Sequence, residues 1–387
     1  MSLCSRPFLG EGVFLLIFKE RNVKKKLLTV LLFVFSLSFL IGCGSNDKSN
    51  ADQEKSTSDQ TQEVSQDPTN EAENNTAEEA APEPATESND KTFVVGISQI
   101  ADHPALDSAR EGFMKALEDK GLEVKYDYSN AQGDMENLKA ISANFVSKKV
   151  DLILAVATNA AQSAFNETNE IPVLFTAVTD PVDAGIVKQV VQPGENVSGT
   201  SDLNPINKQV EFIKELIPDI KKLGVIYTSS ESNSKIQADI AVGVAQDLGI
   251  ETEVATINAV ADIAIIGESL FSSVDAVYIP TDNTIAAAMA NVAQVAERAK
   301  TPVFAADPGM TQEGGLATIG INYYELGYET GLMAYEVLAN GVDIGTMDVR
   351  YSDPENAEYY LNQRTADAIG FEFSQEVKNK AKEIWTE

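Results

Sequence analysis

The chain has 387 residues, with 59 acidic and 29 basic side chains and a formal charge of −30 at neutral pH. This acidity argues against a nucleic-acid-binding protein, which would need a basic surface to contact phosphates. One histidine and two cysteines, Cys4 and Cys43, also argue against a disulfide framework, a zinc site and most acid–base catalysis. We therefore expect no metal, no cofactor and no enzymatic activity.

The segment before Cys43 shows the features of an export signal. Lysines 24–26 precede the mostly apolar run 27–41, whose 15 residues are too few for a transmembrane helix but typical of a signal peptide. The run ends in Leu40-Ile41-Gly42-Cys43, which resembles the lipobox of bacterial lipoproteins. The resemblance implies that Cys43 is lipidated and that the chain is cut just before it. An ordinary signal sequence that carries a cysteine is the alternative.

Two further expectations concern the residues on either side of this signal. Because residues 1–22 place a second apolar stretch ahead of the lysines, we expect synthesis to begin at Val23 and not at Met1. Residues 44–91 are rich in acidic and small polar side chains and contain no aromatic residue. Such a segment cannot bury enough apolar surface to fold, so it is predicted to be a disordered acidic linker that reaches roughly 35–40 Å.

From residue 92 onward, short β-branched apolar runs alternate with amphipathic stretches. The predicted strands are 93–97, 124–128, 151–156, 171–177, 197–200, 223–227, 252–257, 275–279, 303–305 and 317–320. The predicted helices are 105–120, 135–147, 235–248 and 285–299. Strands that alternate with helices indicate parallel sheets covered on both faces. A folded part of roughly 300 residues is too long for one core and suits two domains, so the fold class is α/β with two lobes.

Polar residues follow many of the predicted strands, where open parallel sheets bind ligands. They are Ser98-Gln99, Thr158-Asn159, Thr179-Asp180, residues 230–234, Thr281-Asp282-Asn283 and Asp307. Helix starts with such residues can accept a carboxylate, and Asp282 or Asp307 could take an ammonium group, so the pattern indicates a zwitterion. These residue types are also the ordinary N-caps of helices, and this alternative stays open for each of them.

Several strings of the folded part match one family. They lie at 96–99, 103–107, 130–134, 157–162, 175–182 (Phe-Thr-Ala-Val-Thr-Asp-Pro-Val), 193–199, 224–227, 233–234, 280–283 (Pro-Thr-Asp-Asn) and 320–327. On these strings, the stretch from Val94 to about Gly370 resembles the ABC-transporter substrate-binding family that includes tryptophan- and tyrosine-transport lipoproteins. That family has the type I periplasmic-binding-protein fold.

The resemblance implies two Rossmann-like lobes with parallel sheets, joined by a three-stranded hinge. The chain would leave the first lobe near Asn204, return near Gly314 and cross again near Gly341. The N-terminal lobe would then comprise 92–203 plus 314–341, and the C-terminal lobe 204–313 plus 342–387.

The resemblance also implies a function and a set of ligand-binding residues. The protein would be a monomeric, lipid-anchored binding protein of an ABC importer, would capture an aromatic L-amino acid, and would have the permease and its ATPase as partners. Asp282 would bind the α-ammonium group, and Thr158, Asn159 and Ser234 the α-carboxylate. The full expected set is Gln99, Thr158, Asn159, Thr179, Asp180, Asn233, Ser234, Asp282 and Asp307.

Some alternatives stay open at this point. Phe175, Tyr227, Tyr323 and Tyr324 could stack on an aromatic ligand, although packing in the core is the simpler interpretation. The single histidine, His103, could contact ligand or only begin a helix. The solute could instead be a nucleoside or another small polar molecule, and the protein could be a sensor that reports ligand to a receptor.

Overall fold

The computed structural model describes residues 91–386. The predicted signal peptide region, the lipobox with Cys43 and the linker up to residue 90 lie outside the described residues. The described part forms two α/β lobes, each built on one sheet.

The first lobe is built on a six-stranded parallel sheet. Its strands are β1 (Phe93–Gln99), β2 (Val124–Asn130), β3 (Leu152–Val156), β4 (Val173–Thr176), β5 (Val197–Ser201) and the short β11 (Arg350–Tyr351). Their order is β11-β5-β4-β3-β1-β2. The central strand β3 is buried along its whole length, and its sequence, Leu-Ile-Leu-Ala-Val, is continuously apolar, as expected for a strand covered on both faces.

Four helices cover this sheet. They are α1 (Pro104–Asp119), α2 (Met135–Lys148), α3 (Thr158–Glu167) and α10 (Tyr323–Asn340). Helices α1 and α10 lie in backbone contact because glycines replace side chains between them. A Cβ atom at Gly327 would come within 1.8 Å of the carbonyl oxygen of Ala109, and one at Gly112 within 2.0 Å of that of Tyr324. This contact fixes α10, and with it Tyr323, onto the first lobe.

The second lobe is built on a seven-stranded sheet. Its strands are β6 (Lys222–Thr228), β7 (Glu251–Ile257), β8 (Ala276–Ile279), β9 (Val303–Ala305), β10 (Ala317–Gly320), β12 (Glu358–Asn362) and β13 (Ala381–Trp385). Their order is β13-β12-β10-β9-β8-β6-β7, and β10 with β12 is the antiparallel pair. The accompanying helices are α4 (Ile206–Leu216), α5 (Ser232–Asp247), α6 (Asp262–Phe271), α7 (Asn283–Ala286), α8 (Met289–Ala299), α9 (Pro308–Gln312), α11 (Gln363–Ile369) and α12 (Gln375–Lys380). Separate apolar clusters fill the two faces of this sheet.

Three crossings join the lobes, and two of them lie later in the chain than expected. The first crossing, 202–205, agrees with the expected position near Asn204. The second is at 321–322 and not near Gly314, because β10 pairs with β9 and β12 and packs Ala317 and Ile319 into the second lobe. The third is at 352–357 and not near Gly341, because β11 pairs with β5 in the first lobe.

The expected lobe boundaries change accordingly. Residues 314–320, which end with β10 and which the resemblance assigned to the N-terminal lobe, belong to the second lobe. Residues 342–351 belong to the first lobe, where Ile344 and Val349 join the apolar core. The single helix predicted over 285–299 is also two helices, α7 and α8, separated at Ala287 and Ala288. Two carboxylates of the second lobe, described below, bind the start of α7.

Candidate functional site

A cavity lies where the carboxyl ends of the strands of both sheets meet. It is lined by His103, Leu106, Ala177, Thr179, Asp202, Asn233, Thr281, Asp282, Asn283, Asp307 and Tyr323. In the first lobe, these residues follow strands β1, β4 and β5 or lie at the starts of α1 and α10. In the second lobe, they follow strands β8 and β9 or lie at the start of α5. This is the position in which parallel α/β sheets bind ligands.

The two lobes are closed around this cavity. The Nε2 atom of Gln237, in the second lobe, donates to Oγ1 of Thr179, in the first, at 3.2 Å. Gly309 of α9 approaches the start of α1 so closely that a Cβ atom there would lie 2.9 Å from the backbone nitrogen of Ala105. The enclosed volume is about 10 Å³, which is room for one water molecule. A molecule larger than water can therefore enter only when the lobes separate and side chains rearrange.

Asp282 holds the start of α7 against the end of β6. One carboxylate oxygen accepts from the backbone N–H of Ile285 at 2.9 Å and from the hydroxyl of Thr228 at 2.8 Å. The other accepts from the backbone N–H of Thr228 at 2.6 Å. Burial, together with the negative charge of Glu231, raises the pKa of Asp282 to about 7.

Glu231 also binds the start of α7. Its carboxylate accepts from the backbone N–H groups of Asn283 and Thr284, both at 2.9 Å, and from their side chains. On the neighbouring loop, Asp307 caps α9 by accepting from the backbone N–H of Met310 at 2.8 Å. Burial raises the pKa of Asp307, and the charge of His103 across the cleft lowers it in part. These carboxylates therefore serve helix starts as N-caps do.

Asp202 lies in the first crossing and has different partners. It accepts from the hydroxyl of Thr179 at 3.0 Å through one oxygen, and from the hydroxyl of Tyr323 at 2.9 Å through the other. Only 4% of the residue is exposed. Burial raises the pKa of Asp202 to about 6.

Two buried polar atoms of the cavity lining have no hydrogen-bond partner among the described residues. They are Nδ1 of His103, in the first lobe, and Oδ1 of Asn233, in the second. The exposed fractions of these residues are 9% and 6%. Because an unsatisfied buried polar group costs free energy, these atoms are the places where a ligand gains most by supplying a partner.

Four of the predicted ligand-binding residues line this cavity, namely Thr179, Asn233, Asp282 and Asp307. Gln99 does not. Its amide nitrogen donates to the carbonyl of Ala101 and to Asp107, and its oxygen accepts from Arg110. The side chain of Gln99 is thus occupied within the first lobe.

The other predicted residues lie beside the cavity and not in its lining. Thr158 and Asn159 are buried at the start of α3, which has no side-chain cap. Asp180 accepts from two backbone N–H groups of the turn that follows it. The Ser234 hydroxyl donates to the carbonyl of Thr281 at 2.8 Å. Contact of these four residues with ligand stays a prediction.

Of the four aromatic residues considered, Tyr323 is the one that lines the cavity. Phe175 is completely buried in the core of the first lobe, and Tyr227 packs against a core of the second. Tyr324 is 37% exposed and does not line this cavity.

Sequence reasoning missed Asp202 and Glu231. The loop 230–234 was identified from its polar residues, but Glu231 was not distinguished within it. Asp202 follows a strand just as Asp180 does, so its position after β5 was the signal that could have found it. The hydrogen bond of Asp202 to Tyr323 spans 121 residues of chain and leaves no local pattern.

Comparison with known proteins defines the family. The family described as ABC transporter substrate binding protein matches residues 94–385. The chain belongs to this family. The tyrosine-binding protein of Clostridioides difficile (strain R20291) is 40% identical to it over 350 residues, which cover 89% of this chain and 92% of that protein.

Solved structures of related proteins have the same fold. A Streptococcus pneumoniae ABC domain in complex with L-Trp is 34% identical and covers 75% of this chain and 99% of its own, with a TM-score of 0.71. The ligand-free, open structure of a Clostridium difficile substrate-binding protein is 40% identical and covers 76% of this chain and 100% of its own, but its TM-score is 0.59. The more similar sequence thus gives the less similar structure, which agrees with the closed arrangement of the lobes here.

These findings confirm the type I periplasmic-binding-protein fold predicted from the sequence. They also confirm a substrate-binding protein of an ABC transporter, a class without enzymatic activity, whose members act outside the cytoplasm. Within residues 91–386, no helix is both long and apolar enough to cross a membrane.

Proposed function

We propose that this protein captures an aromatic L-amino acid between its lobes and delivers it to an ABC importer. The observation that carries the proposal is the charge of the cavity lining. It contains three carboxylates, Asp202, Asp282 and Asp307, and one side chain that can become positive, His103. A ligand that brings a positive charge and N–H donors suits this lining.

The starts of two helices at the cavity suit the negative end of the same ligand. Helix α1, which follows His103, and helix α5, which contains Asn233, have no side-chain cap. The backbone N–H groups of their first turns, which in α1 begin at Ala105 because Pro104 has none, and the helix dipole both favour a carboxylate. A cavity with acceptors on one side and helix starts on another matches an amino acid in its zwitterionic form.

The aromatic side chain is supported by the relatives. One relative is named for binding tyrosine, and another has been solved with L-Trp. In the mechanism we propose, the lobes open at the three crossings, admit the amino acid and close on it. The amino acid shifts the population toward the closed form because it binds that form preferentially, and the closed form docks on the permease.

A thermal-shift screen tests the substrate. The purified protein, unfolded and refolded to remove any ligand that co-purifies, is mixed with each of the twenty amino acids, several nucleosides and several sugars. A ligand at 100 times its dissociation constant stabilises a protein by about 2.7 kcal/mol. We expect a shift with Tyr, Trp or Phe. A shift with nucleosides or sugars alone would mean that the substrate is one of these and not an aromatic amino acid. No shift with any compound would favour a different solute class or a sensor.

We further propose that the protein is exported and anchored to the outer face of the cytoplasmic membrane through a lipid on Cys43, which lies outside the described residues. The lipobox-like string 40–43 supports this. Cys43→Ala should move the protein from the membrane fraction to the medium or periplasm. Cys4→Ala, which removes the other cysteine of the chain, should leave it in the membrane fraction. A membrane-bound Cys43→Ala variant would contradict the anchor.

A further inference from the structure

The buried carboxylates around the cavity differ in what donates to them. Glu231, Asp282 and Asp307 accept from backbone N–H groups at the start of α7 or α9. The first N–H groups of a helix have no partner within the helix and need such acceptors. Each of these three carboxylates therefore stabilises the start of a helix.

Asp202 has spare capacity for a ligand. Apart from its own backbone N–H, it accepts from two side-chain hydroxyls, one on each carboxylate oxygen. A carboxylate oxygen can accept two hydrogen bonds, so each oxygen keeps acceptor capacity toward the cavity that Asp202 lines. The hydroxyls of Thr179 and Tyr323 hold the carboxylate in place without neutralising its charge.

The second lobe offers an acceptor to the same cavity. The Nδ2 atom of Asn233 donates to the carbonyl of Thr281 at 2.9 Å, which fixes the orientation of the amide. Its Oδ1 atom is buried without a partner among the described residues. A carboxylate of the hinge and an amide oxygen of the second lobe thus line one closed cavity.

We propose that the α-ammonium group of the bound amino acid is held between Asp202 and Asn233, and that this contact couples binding to closure. The assignment rests on the proposed function. An ammonium group has three N–H donors and no acceptor, so a carboxylate with spare acceptor capacity and an unpaired amide oxygen match it. The assignment replaces Asp282, whose oxygens already bind Thr228 and Ile285.

The coupling follows from where Asp202 lies. Asp202 is in the first crossing. Tyr323, which donates to it, is the first residue after the second crossing. Thr179, its other donor, accepts from Gln237 across the cleft. Asn233 moves with the second lobe, so it can share the ammonium group with Asp202 only when the lobes are closed. Ligand bound there stabilises the closed form specifically.

Calorimetry with two ligands tests the assignment. The ligands are L-tyrosine and 3-(4-hydroxyphenyl)propanoate, which lacks the ammonium group. Asp202→Asn should weaken L-tyrosine binding by roughly 10- to 150-fold, the value of one charge-assisted hydrogen bond, and change binding of the analogue by less than about threefold. Asp282→Asn removes a second negative charge from the same cavity and should weaken L-tyrosine binding by a smaller factor than Asp202→Asn does, and Asp134→Asn, at the exposed start of α2, is the control that should leave both affinities unchanged.

A second measurement compares the binding of the two ligands over a range of pH. Because burial raises the pKa of Asp202 to about 6, the affinity of the wild-type protein for L-tyrosine should fall as the pH drops below about 6, and that for the analogue should fall less. His103, Asp282, Asp307 and Tyr323 line the same cavity, so the pH profile of Asp202→Asn is the reference for their contributions. The asparagine variant resembles the protonated aspartic acid.

The outcomes separate this assignment from the proposed function. If the wild-type protein binds L-tyrosine, and Asp202→Asn weakens both ligands equally or neither, the assignment is overturned and the function stands. The same holds if the pH profiles for the two ligands coincide. If the wild-type protein binds no aromatic amino acid, the proposed function falls, and the assignment falls with it.

Discussion

Tyr323 is the residue at which the hinge and the cavity meet. Its hydroxyl donates to Asp202 at 2.9 Å and accepts from the amide of Asn204 at 3.4 Å. Burial and the charge of Asp202 raise the pKa of Tyr323 well above 10, so the hydroxyl stays protonated and remains a donor. The hydroxyl of Tyr323 thus links the first crossing to the start of α10, which directly follows the second crossing.

Removal of this hydroxyl should be costly. In Tyr323→Phe, the buried Asp202 carboxylate loses one of its two hydroxyl donors, and we expect the free energy of unfolding to fall by about 1–3 kcal/mol. Urea denaturation at pH 7.5 measures the change. The neighbouring Tyr324, which is 37% exposed, supplies the control, and Tyr324→Phe should change stability by less than about 0.5 kcal/mol. Equal losses in the two variants would contradict the structural role of Tyr323.

Helix starts determine how the lobes fit together. Helices α7 and α9 are capped by Asp282 and Asp307, whereas α1 and α5 present uncapped starts to the cavity. Helix α9 approaches α1 at Gly309, where a Cβ atom would lie 2.9 Å from Ala105 N and 3.3 Å from Pro104 Cβ. The lobes can therefore close fully only because residue 309 lacks a side chain.

Gly309→Ala should oppose closure. The added methyl group overpacks the contact between α9 and α1, which costs about 1–3 kcal/mol, and the cost falls mainly on the closed form. Affinity for the amino acid should fall by about tenfold or more, and small-angle scattering with ligand should report a more open protein. Gly243→Ala in α5, where nothing lies within 4 Å of the added Cβ atom, is the control and should keep the wild-type affinity. Full affinity in Gly309→Ala would contradict the closed contact.

Over the whole molecule, the ligand-free closed form carries a cluster of buried negative charge. The pKa of Asp202 rises to about 6 and that of Asp282 to about 7, from an ordinary value of 3.8. The folded chain therefore binds more protons than the unfolded chain between about pH 4 and 7. Stability decreases as the pH rises through this window, since the folded state must then bury the charged forms.

This linkage predicts a pH dependence that single substitutions remove. Between pH 5 and 8, the free energy of unfolding of the ligand-free protein should fall by on the order of 1–3 kcal/mol relative to Asp202→Asn or Asp282→Asn. Urea denaturation at pH 5, 6, 7 and 8 measures it. Asp134→Asn, at the exposed start of α2, controls for the loss of one negative charge from the surface. Identical pH profiles for the wild-type protein and both buried variants would show that these carboxylates are not buried in solution.

Local signals in the sequence were enough to determine most strands of the fold, but not most of its helices. Strands 303–305 and 317–320 were predicted with the bounds that the structure shows, and the helix predicted to begin at Met135 does so. Apolar periodicity and turn residues act over a few neighbours, so a linear pattern records them. The α/β class and the edge of the sheets that carries the cavity follow from the same alternation of strands and helices, whereas the number of lobes followed from the length of the folded part and the type of fold from the family resemblance.

The tertiary structure alone decided which lobe holds each late segment and which polar residues share the cavity. Strand β10 joins the second lobe through pairing with β12, about 40 residues later, and the partners of Asp202 lie 23 and 121 residues away. The sequence showed several interchangeable acidic residues after strands. Only the folded chain shows that Asp282 and Asp307 are used by helix starts and that Asp202 is not, because hydrogen bonds between distant residues depend on how the lobes pack.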